Sequence, residues 1–257
     1  MHYLVIGVVA LLASGLTFFS GFGLGTLLLP AFAAFFPVTL AIAMTAVVHL
    51  SNGLFKVVLV GRHVHLPTLW RFGLPAAVAA FGGAWLLGQL ANLEPWVAYE
   101  LVGRQFSVTP VKFSVGLLLL AFTAWEIAPA TRDRQFGPNW MPLGGVLSGF
   151  FGGLSGNQGA LRAAFLIKAG LSKEAFVGTG AVISGVIDVV RIGTYVPMLR
   201  EVRGEIPVGL LFAGMFAAFV GAFAGNRLLG KVTLRGIQQM VVMLVSLTAL
   251  GLMSGLL

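Results

Sequence analysis

The chain has no cysteine, which excludes disulfides, thiol catalysis and cysteine-ligated iron–sulfur clusters. Charge is scarce as well. Only 9% of the 257 residues are Asp, Glu, Lys or Arg, whereas a soluble domain carries about 25%. Eight side chains are acidic, so carboxylate-rich metal sites have little to draw on. The sequence contains no Walker loop, no His-Glu-x-x-His and no nucleophile elbow. ATP-driven transport by this chain alone is therefore not expected, and neither is an enzyme activity or a bound cofactor.

What remains is apolar. Hydrophobic residues make up 58%, and the mean hydropathy is +0.97. Too few polar side chains remain to coat a globule, so most of the surface must face lipid. The 35 glycines fit that solvent, because Gly lets membrane helices approach closely. The net charge of +8 does not indicate nucleic acid. The cations lie scattered between apolar runs and form no basic stripe.

Apolar runs recur at about 3–19, 22–36, 39–60, 69–91, 110–129, 140–154, 158–170, 174–196, 206–229 and 235–256. The segment Leu4 to Phe19 lacks the basic start and cleavage site of a signal peptide and reads as the first helix. Short runs flank two glycine-rich breaks, Ser20-Gly21-Phe22-Gly23-Leu24-Gly25 and Gly152-Gly153-Leu154-Ser155-Gly156-Asn157-Gln158-Gly159. Each Gly weakens a helix by about 1 kcal/mol relative to Ala. Interrupted backbone at membrane depth must be buried in protein or line a wet cavity. Each break is thus read as the tip of a helical hairpin, re-entrant or crossing.

With the N-terminus on side one, side two receives nine cations: Arg62, Arg71, Arg132, Arg134, Lys168, Lys173, Arg227, Lys231 and Arg235. Side one receives four, Arg104, Lys112, Arg200 and Arg203. The positive-inside rule makes side two cytoplasmic and puts both termini outside. The expected fold is all-α and polytopic, one membrane domain built as two repeats, 1–130 and 131–257. Each repeat is a glycine-broken hairpin followed by three crossings, and the second is inverted relative to the first. Ser20-Gly21 recurs as Ser155-Gly156, Ala41-x3-Thr45 as Ala175-x3-Thr179, and Lys56 has Arg191 as its counterpart.

Ionisable groups inside a membrane are costly and usually mark function. His49, Asn52 and Lys56 share one face of the third run, and Ser184, Asp188 and Arg191 share one face of the eighth. Lys56 and Arg191 either snorkel to an interface or contribute to a site. Asp188 and Arg191 are spaced to pair with each other. The second break opens the helix that carries Arg162. Free N–H groups at that helix start, the amides of Asn157 and Gln158 and the guanidinium form a ready anion site. The first break offers N–H groups and the hydroxyls of Ser20 and Thr26. The competing reading of both breaks is a packing hinge. His63-x-His65 has a spacing a surface metal could use, without a third ligand nearby, and no metal site is expected.

The glycine-broken first hairpin, the Ala-x3-Thr segments and Gly152-x2-Ser-Gly-Asn-Gln-Gly-Ala-Leu-Arg-Ala-Ala-Phe165 resemble the TauE/SafE family of sulfite exporters. The resemblance spans the chain and is strongest over Ser20–Thr45 and Gly149–Thr179. It implies a carrier in the cytoplasmic membrane for a small sulfur-containing anion such as sulfite, thiosulfate or an organosulfonate, with export the expected direction. On this reading Ser20, Gly21, Gly23, Gly25, Ser155, Gly156, Asn157, Gln158 and Arg162 hold the anion. His49, Asn52, Lys56, Ser184, Asp188 and Arg191 serve gating or coupling, with protons the candidate coupling ion. An anion channel of the same chemistry and a non-transporting membrane scaffold are the alternatives.

Overall fold

Ten helices carry the chain in the computed structural model, which describes residues 2–16, 18, 24–127, 137–167, 169–201, 207–228 and 235–257. At 126, 127, 138, 198–201, 228 and 235–241 only the backbone is described. The helices are α1 (His2–Leu16), α2 (Leu24–Ala33), α3 (Val38–Val60), α4 (Leu66–Ala91), α5 (Pro110–Ile127), α6 (Met141–Ser155), α7 (Gly159–Leu166), α8 (Lys173–Glu201), α9 (Val208–Leu228) and α10 (Arg235–Ser254). They coincide closely with the ten apolar runs, and the chain is a polytopic helical membrane protein. Four of them, α3, α4, α8 and α9, contain spans long and apolar enough to cross a bilayer. By contrast, the 15 residues of α1 and the 10 of α2 extend only about 22 and 15 Å at 1.5 Å per residue. A hydrocarbon core of about 30 Å is deeper than either.

Glycine sets the closest helix contacts. Gly145, Gly149 and Gly153, one turn apart on α6, lie against the backbone of Phe72, Ala76 and Ala80 on α4. A Cβ at Gly149 would stand 2.0 Å from the Ala76 carbonyl oxygen. On the other side of the molecule, Gly221 and Gly225 of α9 lie against Leu11 and Gly15 of α1. Without a hydrophobic driving force inside lipid, such close backbone approach supplies the dispersion contact that holds membrane helices together. The two long helices α3 and α8 pack antiparallel: Gly178 touches the Val60 carbonyl, Gly53 lies beside Ala181, and Gly185 beside Leu50. Gly116 of α5 docks on Ala249 and Leu252 of α10.

Two local features went unread in the sequence. Residues 97–108 form an antiparallel hairpin, β1 (Val97–Leu101) and β2 (Arg104–Val108), in register from Val97↔Val108 to Leu101↔Arg104. Its two-residue turn has positive φ at both Val102 and Gly103, the twist that suits a tight hairpin. The Tyr99 hydroxyl donates to the Ser254 carbonyl at 2.6 Å, tying the hairpin to the C-terminal end of α10. Within α4, residues Leu69–Gly73 widen into a π-turn just ahead of Pro75, which cannot donate a backbone hydrogen bond.

Candidate functional site

The two glycine breaks meet. A Cβ on Gly25, at the start of α2, would stand 3.2 Å from the Gly156 carbonyl oxygen and 3.8 Å from Cδ2 of His49. The Thr26 hydroxyl donates to Asn157 Oδ1 at 3.2 Å. Gly156 ends α6 with φ +81° and returns its N–H to the Gly152 carbonyl at 2.9 Å, a left-handed cap that glycine adopts without strain. After two intervening residues α7 begins at Gly159, so the second break is one tight turn. Of the first break, Ser20, Gly21 and Gly23 lie outside the described residues, whereas Leu24 and Gly25 lie within them.

The polar groups of the second break turn inward to one another. Asn157 bonds Ser155 Oγ through its amide Nδ2 at 3.3 Å, and Ser148 Oγ donates to the Gln158 carbonyl at 3.0 Å. Gln158 bridges two charges: its Nε2 donates to Asp188 Oδ1 at 3.3 Å, and its Oε1 accepts from Arg162 Nη1 at 3.3 Å. Asp188 is the hub. His49 Nδ1 stands 2.6 Å from Asp188 Oδ2, and Arg191 reaches Oδ1 through Nε at 2.9 Å and Nη2 at 2.8 Å. The expected pairing of Asp188 with Arg191 is present, and both are fully buried. Arg191 presses on the Gly156 backbone, and its Nη1 finds no hydrogen-bond partner. One helical turn on, the Tyr195 hydroxyl donates to the Gly153 carbonyl. Nothing in the sequence marks Tyr195, since a lone tyrosine in an apolar run carries no spacing signal.

Beside this network lies a small, partly open cavity. His49, Asn52 and Lys56 of α3, Arg162 of α7 and Ser184 of α8 supply its polar lining, with Phe18, Leu24, Phe176 and Val177 among its apolar walls. The two polar stripes and the break's arginine therefore converge, whereas Ser155, Gly156, Asn157, Gln158, Asp188 and Arg191 stand behind the lining. Arg162 is 5% exposed, so it does not reach to the lipid headgroups. Lys56 lies over the Phe18 ring, 5.3 Å from its centroid, partly buried in the cavity wall.

Neighbours orient the lining groups. Ser14 Oγ donates to Asn52 Oδ1 at 2.8 Å, which leaves the Asn52 Nδ2 amide as a donor. Ser184 spends its hydroxyl proton on the Ala181 carbonyl at 3.1 Å and so offers lone pairs. His65, weighed as a metal ligand, instead caps the start of α4: its Nδ1 bonds the Thr68 hydroxyl at 2.8 Å and the Thr68 N–H at 3.3 Å.

Two buried cations, Arg162 and Arg191, and the partly buried Lys56 thus stand with Asp188, the one buried carboxylate among the described side chains. Comparison with known proteins bears on what this excess attracts. No curated protein and no solved structure matches the chain. A family model, that of the sulfite exporter TauE/SafE, matches residues 5–252.

Proposed function

Because the chain belongs to the TauE/SafE family of sulfite exporters, a family of membrane anion transporters, we propose that it is a secondary carrier for a small sulfur-containing oxyanion. Its site is the cavity between α3, α7 and α8. The observation that carries this reading is the excess of positive charge at the cavity. Burying charge in a low-dielectric interior costs several kcal/mol per ion, and Lys56 and Arg162 line the cavity with no carboxylate among its lining residues. An anion between Lys56 and Arg162 would offset that excess. Asn52 would add an amide donor, while the break residues Ser155 to Gln158 hold Arg162 and Asp188 in register. Sulfite heads the candidates, with thiosulfate and organosulfonates behind it, and export from the cytoplasm is the direction we favour.

The conformational cycle we infer is a rocking of two inverted repeats, 1–130 and 131–257, about a site near the midplane. The helix pairing supports it. Exchanging the halves turns the α1–α9 pair into α6–α4 and returns α3–α8 and α5–α10 to themselves. Gly83, against Phe150 and Leu154, has its counterpart in Gly221, against Leu11 and Gly15. Under the same exchange Lys56 and Arg191 become partners, one lining the open cavity and the other sealed beneath Tyr195. Protons are the coupling ion we favour, with His49 and Asp188 as carriers. Both termini would face the periplasm or its equivalent.

Flux into proteoliposomes separates a carrier from a channel. A carrier gives sulfite uptake that saturates and is accelerated by sulfite on the opposite side. Uptake rising linearly with concentration, without counterflow, would favour the channel. A chain that moves no anion would leave the scaffold reading.

A further inference from the structure

His49 has one ring nitrogen fixed and lines the cavity. Its Nδ1 stands 2.6 Å from Asp188 Oδ2, and Asp188 is itself clamped by Arg191. A carboxylate so paired only accepts hydrogen bonds, so Nδ1 must carry the proton. In the neutral ring Nε2 is then a lone-pair acceptor. The imidazole is 14% exposed and lines the cavity, whereas Asp188 is fully buried behind it. The edge turned from Asp188, which bears Nε2, is therefore the one a ligand meets.

Ser184 presents a second acceptor, because its proton is committed to the Ala181 carbonyl. The cavity thus combines donors at Lys56, Arg162 and Asn52 with acceptors at His49 and Ser184. A fully deprotonated anion satisfies the donors but sets its oxygens against the Nε2 lone pair.

We propose that His49 is the specificity-determining residue of this site, and that it selects oxyanions in their singly protonated form. The bound species offers an O–H to His49 Nε2 while its remaining oxygens accept from Lys56, Arg162 and Asn52. Hydrogensulfite, which is abundant near neutral pH, has the required proton. Sulfate and simple sulfonates have none at that pH. Sites built to hydrogen-bond a substrate O–H reject analogues that lack it, because a buried polar group is left unpaired. The charged and titratable groups facing His49 are Asp188 and Arg191 of α8 and, across the cavity, Arg162 of α7 and Lys56 of its own helix. The inference rests on the cavity being the anion site.

Isothermal titration of the purified full chain with sodium sulfite and sodium sulfate at pH 8 tests it. Two buffers of different ionisation enthalpy report the protons exchanged. At that pH most sulfite is deprotonated, so selecting the protonated form takes up about one proton per anion bound. Sulfate should bind at least about tenfold more weakly, a gap of about 1.4 kcal/mol. In His49→Gln the side-chain amide can donate to any oxyanion, so proton uptake should vanish and the sulfate disadvantage should close. Sulfite binding to the parent chain without proton uptake would overturn the proposal and leave the anion site standing. So would His49→Gln that keeps both uptake and preference. Failure of the parent to bind either anion would overturn the anion site itself, and this selection with it.

Discussion

Asp188 holds the site together at the scale of single residues. It is the counter-charge of Arg191 and the orienting partner of His49 and Gln158. Replacing one member of a buried pair leaves the other charge uncompensated, at a cost of about 3–5 kcal/mol. Asp188→Asn is therefore expected to lower the thermal unfolding midpoint in detergent markedly, and adding Arg191→Met should recover part of the loss. Tyr195 is expected to act differently. Tyr195→Phe removes the bond to the Gly153 carbonyl but keeps the ring, so a stability change of about 1 kcal/mol should be the limit. If that bond holds the sealed side shut, the same variant should raise the rate of sulfite exchange. The sequence marked His49, Asn52, Lys56, Ser184, Asp188 and Arg191, because charge and amide are rare inside apolar runs. It left Ser14 and Tyr195 unmarked, since a hydroxyl in such a run is common and its partner lies in a distant helix.

Helix pairs follow the glycines. On α4, Gly82 and Gly83 are neighbours in sequence with opposite surroundings. A Cβ at Gly82 meets nothing within 4 Å, whereas one at Gly83 would overlap the Phe150 carbonyl oxygen at 1.9 Å. Gly82→Ala should leave the unfolding midpoint unchanged or raise it slightly, and Gly83→Ala should lower it by several degrees in the same thermal assay. Equal effects would mean that the α4–α6 contact does not govern stability. The ten helices were legible because an apolar run of membrane length has few other meanings. The four-residue spacing of Gly145, Gly149 and Gly153 also stood in the sequence, although its partner, the alanines of α4, emerges only from the packing. The hairpin of 97–108 was missed for another reason. Its signal is a short alternation around Val102-Gly103, which a search for long apolar runs passes over.

Among the described residues an open polar cavity, lined by Lys56, stands beside a sealed arginine, Arg191. The charge distribution predicts an orientation in the membrane, and the absence of cysteine makes it easy to test. Glu100→Cys, in the exposed hairpin, should react with an impermeant maleimide applied from outside the cell. Glu174→Cys, at the opposite end of the bundle, should react only after the membrane is opened. The reverse pattern would invert the orientation. The sequence has residues of both breaks holding the anion, and Gly25 does lie against Gly156, more than a hundred positions away; the side-chain contacts that close the bundle around them were beyond it.

Binding of radiolabelled sulfite to the purified parent chain and to Lys56→Ala and Arg162→Ala bears most directly on the buried cationic cavity. The parent should saturate at about one anion per chain, and each variant, if folded, should weaken binding at least about tenfold, the loss of roughly one charge-assisted hydrogen bond. Parent-like affinity in both variants would contradict the assignment of the anion to this cavity.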